Sequence, residues 1–204
     1  MRSGGGRDER SEDLQVGRWK PDTSGRLERA AIELYLENGF ARTTVPQITE
    51  RAGVTTRTFF RHFADKRDVL FVGHDELRER VAKTIAAAPP AWSATKAAAS
   101  GLNIAAAALQ SSQDEARDRR SLITATPELR ERELIMFAAV AGTISEALIA
   151  RGVEDRAARA VAEAMVAAFR VAFEYWGEHT ERELPQLVDE ALDSLKEAFA
   201  AVGD

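Results

Sequence analysis

The sequence predicts an all-α protein in which a short three-helix, helix-turn-helix unit precedes a larger helical body. Three observations predict it. From Thr23 onward apolar residues recur at helical spacing, and no segment has the two-residue alternation of a strand. Helix start and stop signals follow one another along the chain. Three of the predicted helices are short, joined by tight turns, and gathered before residue 64.

The elements justify this in order. Residues 1–20 hold three consecutive glycines, mixed charge and few apolar anchors, which predicts a disordered arm. The first helix is expected over Ser24–Asn38, with Leu27, Ala30, Ala31, Leu34 and Tyr35 on one face. Gly39 ends it, and Phe40 folds back on its last turn. Thr44 caps a second helix, and Gln47 three residues on completes a capping box. Pro46 is tolerated in that first turn. After Ala52-Gly53-Val54, Thr55 caps a third helix ending near His62. Its Phe59 and Phe63 point inward with Ile48 and Val54. A fourth helix is expected to start at Asp65 and run through Val69, Leu70 and Leu77. The domain boundary is placed within it near residue 72, giving units of 21–72 and 73–204.

Pro89-Pro90 breaks the chain. Helices are then expected at 93–110, 114–124, 127–150, 155–178 and 185–201. Thr126 caps the third of these, with Pro127 at its first position.

Composition narrows the function classes. The 204 residues hold 45% hydrophobic and 30% charged residues, enough for a core and for a soluble surface. No cysteine is present, which excludes disulfides and thiolate metal sites. No apolar run approaches the ~20 residues that span a membrane, and the N-terminus lacks a signal peptide's apolar core, so a cytoplasmic protein is expected. Net charge is −5, yet residues 1–72 carry 13 Lys and Arg against 11 Asp and Glu. An acidic body with a mildly basic front can meet DNA if the basic groups share one face.

The third helix has such a face. Thr56, Arg57, Thr58, Arg61 and His62 point away from its apolar side. Arginine forks onto a guanine edge, and threonine packs on thymine or bonds phosphate. Thr44, Thr55 and Lys66 are placed at three helix starts, where free N–H groups attract phosphate.

The string FARTTVPQITERAGVTTRTFFRHFADKRDVLF resembles the DNA-binding domain of the TetR (tetracycline-repressor-like) family of bacterial regulators. Gly39-Phe40, Thr43-Thr44, Ile48, Ala52-Gly53-Val54, Thr58-Phe59-Phe60, His62-Phe63 and Lys66 carry the match over about residues 23–72. Later helices agree in number and length. The resemblance implies a homodimer with an N-terminal DNA-binding domain and a C-terminal ligand-binding and dimerisation domain. It implies a near-palindromic operator, most often repressed, and release by a small apolar effector. Carried over by position, Thr44, Phe60, His62 and Lys66 face phosphates. Arg57, Thr58, Thr56 and Arg61 face bases. Phe60 stands where the family has tyrosine, so the phenolic hydrogen bond is lost and apolar contact remains.

In the body, Trp92, Met136, Phe137, Phe169, Phe173 and Trp176 are the candidate ligand contacts, between the helices at 93–110, 127–150 and 155–178. The segment Leu129–Trp176 is similar to actinobacterial regulators linked to acyl or other apolar ligands. Two apolar seams, Val161/Met165/Ala168/Ala172 and Leu187/Ala191/Leu195/Ala198, are read as the dimer contact or as internal packing. Arg18 and Lys20 are the arm residues best placed to reach DNA. His74 and His179 lack ligand-spaced partners, so no metal is expected. No cofactor is expected either, and no nucleophile–base pairing points to an enzyme. The alternative reading is a helical adaptor or small-molecule binder that does not bind DNA.

Overall fold

The computed structural model describes residues 23–179 and 181–200. The predicted arm, with Arg18 and Lys20, lies outside them. Among the described residues the chain forms nine α-helices, one 3-10 turn and no strand. The helices are α1 (Thr23–Asn38), α2 (Val45–Ala52), α3 (Thr56–His62), α4 (His74–Ala87), α5 (Ala94–Gln110), α6 (Gln113–Ala125), α7 (Pro127–Ala150), α8 (Asp155–Glu178) and α9 (Leu184–Ala200).

Two apolar clusters organise them. The front cluster buries the predicted face of α1 with Ile48, Phe59 and Phe63. It also takes in Leu122 and Ile123 of α6 and Leu129 of α7. The front unit therefore completes its core with residues of the body. The second cluster joins α4, α5, α7, α8 and α9. Met136 packs against both clusters.

The expected fourth helix is not continuous. Residues Asp68–Phe71 form a 3-10 turn, and α4 begins only at His74. Gly73 between them has φ +76°, a conformation that side chains with a Cβ resist, so the helix cannot run through. Asp65 closes the bend before that turn instead: its carboxylate accepts from the Arg67 N–H at 2.6 Å, and the turn itself has no side-chain cap. Lys66 consequently sits in a turn and not at a helix start.

Thr126 also departs from expectation. Its side chain makes no capping bond, and its carbonyl accepts from Leu129 and Arg130 N–H to open α7. At the far end of α7, Arg151 reaches back to α4. Its guanidinium donates to the carbonyls of Ile85 (3.1 Å), Ala88 (2.6 Å) and Pro89 (2.9 Å), tying α7 to the end of α4 and the loop that follows it.

Packing decides the fate of the two seams. Met165, Ala168 and Ala172 are buried in the body, as is Leu187, because α8 and α9 pack on each other and on α5. Most of both seams is thus internal. The outward side of α9 is charged, with Asp189, Glu190, Asp193 and Glu197 exposed. Ala198 is exposed, but the large apolar residues that the body leaves outside lie elsewhere: Leu134, Ile135 and Ile149 on α7, Val171 and Tyr175 on α8.

Although charged residues interrupt it and no apolar run in it approaches ~20 residues, helix α7 is long and apolar enough to cross a membrane by length and composition only. It reaches this because one side is core, through Phe137, Ala141, Ile144 and Leu148, while the outer side carries the apolar residues just named.

Candidate nucleic-acid interface and internal cavity

Helices α2 and α3 are positioned by their ends. At the start of α2, the Thr44 N–H donates to Gln47 Oε1 at 2.8 Å and the Gln47 N–H points back to Thr44 Oγ1, closing the expected capping box. At its end, Gly53 adopts φ +66°. The Gly53 N–H bonds the Glu50 carbonyl, and the Val54 N–H bonds the Thr49 carbonyl at 2.9 Å. This pairing satisfies the last carbonyls of α2 and turns the chain sharply. Thr55 then caps α3 by accepting from the Thr58 N–H at 3.1 Å. Thr43 is fully buried, its hydroxyl shared between the Leu34 and Gly39 carbonyls.

The outward side of α3 matches the sequence reading in most positions. Thr55, Thr56, Arg57, Phe60, Arg61 and His62 are exposed, as is Thr44. Arg57 has no hydrogen bond or ion pair among the described residues. Phe60 leaves 57% of its surface open, its ring edge-on to buried Phe59. His62 is within 3.2 Å of the Ser24 hydroxyl, which steadies the end of α3 against α1. Thr58 is half-buried, and its hydroxyl is engaged with that of Thr55 at 2.9 Å. Between Arg42 and Arg67 the chain holds six Lys and Arg against two carboxylates, so this region is basic within an acidic protein.

Lys66 has a structural task that its sequence position did not reveal. Its ammonium donates to the carbonyls of Phe40 (2.7 Å) and Thr43 (2.8 Å) and lies over the Phe40 ring. It pins the α1–α2 loop to the turn after α3. Desolvation holds its pKa below the usual lysine value. The Tyr35 hydroxyl donates to the Lys66 carbonyl at 2.6 Å, tying the same turn to α1.

The body holds a cavity of about 70 Å³ bounded by α4, α5, α6, α7 and α8. Met136, Phe137, Phe169 and Phe173 line it, as placed from the sequence. Trp92 and Trp176 do not. Trp176 is fully buried, because its indole N–H needs an acceptor and finds Gln110 Oε1 at 3.0 Å, behind the cavity wall. The same Gln110 oxygen accepts from the Leu184 N–H at 2.8 Å, so this contact locks α5, α8 and the start of α9. Trp92 precedes α5, with the Lys96 ammonium over its ring.

The sequence reading missed the polar part of the wall. Arg78 of α4, Arg119 and Arg120 of α6, His74 and Glu133 all border the cavity. They belong to helices whose polar residues read as solvated faces, and only the packing of α4, α6 and α7 turns them inward. Arg120 bonds Glu133 at 3.1 Å, and burial raises the Glu133 pKa while Arg120 opposes the rise. His74 is held neutral to about pH 4, mainly by burial and then by the charges of Arg119 and Arg132.

Among the described residues, two ion pairs cross from body to front unit. Arg119 of α6 bonds Glu28 of α1 at 2.5 Å, with side chains only 17% and 15% exposed. Arg132 of α7 bonds Asp68 at 2.6 Å. Burial raises the Glu28 pKa despite Arg119.

Comparison with known proteins bears on both sites. Residues 28–71 match the model of the bacterial regulatory proteins of the tetR family, and residues 89–200 match the MftR C-terminal domain. The transcriptional regulator TcmR of Streptomyces glaucescens is 29% identical over 192 residues, 87% of this chain and 85% of that protein. A Mycobacterium tuberculosis relative bearing the name mycofactocin biosynthesis transcriptional regulator MftR is 28% identical, covering 93% and 92%. Among solved structures, the SmeT–triclosan complex aligns with a TM-score of 0.60 at 20% identity, over 87% and 91% of the two chains. The repressor FadR of Thermus thermophilus, in complex with lauroyl-CoA, aligns with a TM-score of 0.55 at 22% identity, over 85% and 93%. The C-terminal model alone spans more than half of the sequence, and the front unit agrees with it: the protein belongs to the TetR family of transcriptional regulators.

Proposed function

We propose that this regulator binds a near-palindromic operator as a homodimer, represses the genes beside it, and leaves the DNA when a small amphipathic effector enters the body. The observation that carries this reading is Arg57. It is an exposed, unpaired guanidinium on a helix whose N-terminus is fixed by Thr55 and whose neighbour is fixed by Thr44. Arg57 reads bases, with Thr56 and Arg61 beside it, and Thr58 contributes less because its hydroxyl is engaged. Thr44, Thr55, His62 and the third N–H of Lys66 hold phosphates. Phe60 adds apolar contact with the backbone sugars.

Two reading helices sit about 34–36 Å apart in such a dimer. The second copy packs on the apolar residues that α7 and α8 leave exposed, forming a four-helix contact. The front unit is taken as residues 21–72 and the body as 73–204, and the work is done where the chromosome is, in the cytoplasm. An effector releases DNA only if it favours a subunit geometry with the wrong spacing.

The test is a footprint of the purified protein on DNA upstream of its own and adjacent genes. Sequence-preferring protection that disappears as salt rises supports the reading. Absence of duplex binding at low salt overturns it in favour of an adaptor or a plain small-molecule binder.

A further inference from the structure

We infer that the effector is a carboxylate with an apolar body, and that its carboxylate takes Arg119 away from Glu28. This rests on the reading of the cavity as the effector site. The wall is apolar on most sides, but one end presents the three guanidiniums of Arg78, Arg119 and Arg120 against the single carboxylate of Glu133. From beyond the lining, Asp75 pairs with Arg78, Glu28 with Arg119 and Glu174 with Arg120. His74, on the same wall, is held neutral chiefly by burial and then by Arg119 and Arg132, with Asp75 opposing and Arg78 adding a little.

The arginines also have unused donors. Arg78 Nε and Arg119 Nε are buried with no hydrogen-bond partner. A buried guanidinium N–H without an acceptor is costly, and a planar carboxylate matches its fork. Arg120 is less available, since Glu133 and Glu174 already hold it.

Arg119 is the residue where binding and release meet. It borders the cavity on one side, and its Nη2 bonds Glu28 of the DNA-binding unit on the other. One guanidinium serves a ligand carboxylate inside the cavity and Glu28 outside it poorly at once. The cavity volume adds to this. About 70 Å³ is half of the ~150 Å³ void that holds benzene. A larger occupant must push α4 and α6 outward, which carries Arg119 away from α1. The partner exchange and the expansion act in the same direction, loosening the body from the front unit.

The test uses the full chain with four probes: decanoate and 2-naphthoate, and the neutral decanol and 2-naphthylmethanol. Binding is read by calorimetry, and DNA release by anisotropy of a labelled operator. At least one acid should bind tenfold or more tightly than its neutral partner and release DNA. Arg119→Gln should abolish that preference, bringing the acid to within about twofold of its alcohol. Glu28→Gln should tighten the acid severalfold by weakening its competitor. Equal affinity of acid and alcohol, with DNA still released, overturns the carboxylate while the effector cavity stands. Failure of all four probes to bind overturns both. The acid-versus-alcohol comparison needs no variant, so it holds even if Arg119→Gln does not fold.

Discussion

Arg57 and Lys66 are both cations of the DNA-binding unit, but their surroundings separate the losses that follow from removing them. Arg57 supports nothing in the fold, so Arg57→Ala should leave thermal stability unchanged. It should cost about 1–3 kcal/mol of discrimination at one base pair, measured as the ratio of affinities for the operator and a single-base variant. Lys66 holds two loop carbonyls. Lys66→Ala should weaken binding to all sequences, flatten its salt dependence, and also lower stability by about 1–3 kcal/mol in a denaturant titration. A Lys66→Ala protein as stable as the parent would remove the structural task assigned to it.

His74 makes a residue-scale prediction in pH. Its folded pKa is about 4, below the ordinary value of 6.5. As pH falls through 6.5 the unfolded chain takes up a proton that the folded chain refuses, so stability is lost between about pH 6.5 and pH 4. The full difference is about 3 kcal/mol. Glu28 and Glu133 shift upward and act in the opposite sense. The comparison of parent with His74→Gln isolates the histidine: the variant should lose the downward slope across that window.

At the scale of elements, the close approach of α4 and α5 is set by Gly101. A Cβ there would lie 3.0 Å from Val81 Cγ1 and 3.0 Å from Ile85 Cγ1. Alanine gains helix propensity of about 0.5–1 kcal/mol, while overpacking costs about 1–3 kcal/mol. Gly101→Ala should therefore destabilise the body by about 1 kcal/mol net, seen as a lower urea midpoint with unchanged slope. Because α4 also walls the cavity, effector affinity should shift in the same variant. The break at Gly73 matters at this scale too. It lets α4 leave the front unit at its own angle, which a continuous helix from Asp65 would not allow.

For the whole molecule, the α7–α8 face is the surface proposed to take a second copy. Val171 is 63% exposed and Leu134 52% exposed, on the two longest helices, which pack on each other. A Val171→Glu change buries nothing in the monomer but puts a charge in the proposed contact. Sedimentation should read a monomer with unchanged helical circular dichroism, and operator affinity should fall by at least tenfold. A dimer that survives Val171→Glu and Leu134→Arg together would move the contact elsewhere, with the charged outer side of α9 the next surface to probe.

The sequence by itself determined the all-α class, the bounds of most helices within a residue or two, and the outward set on α3. Those features are local. Caps, glycine stops and helical periodicity act within a few residues, and Thr44, Gln47, Gly53 and Thr55 behave as their positions dictate. The inward turn of four of the six candidates, Met136, Phe137, Phe169 and Phe173, to the cavity wall was also legible, because large apolar groups on long helices turn inward. Tertiary structure alone decided the rest. It turned Arg78, Arg119 and Arg120 toward a cavity, sent Trp176 to Gln110, put most of both apolar seams inside, and gave Lys66 two carbonyls to hold. Each of these depends on which helix lies beside which. Periodicity states which side of a helix is apolar, but not what it meets.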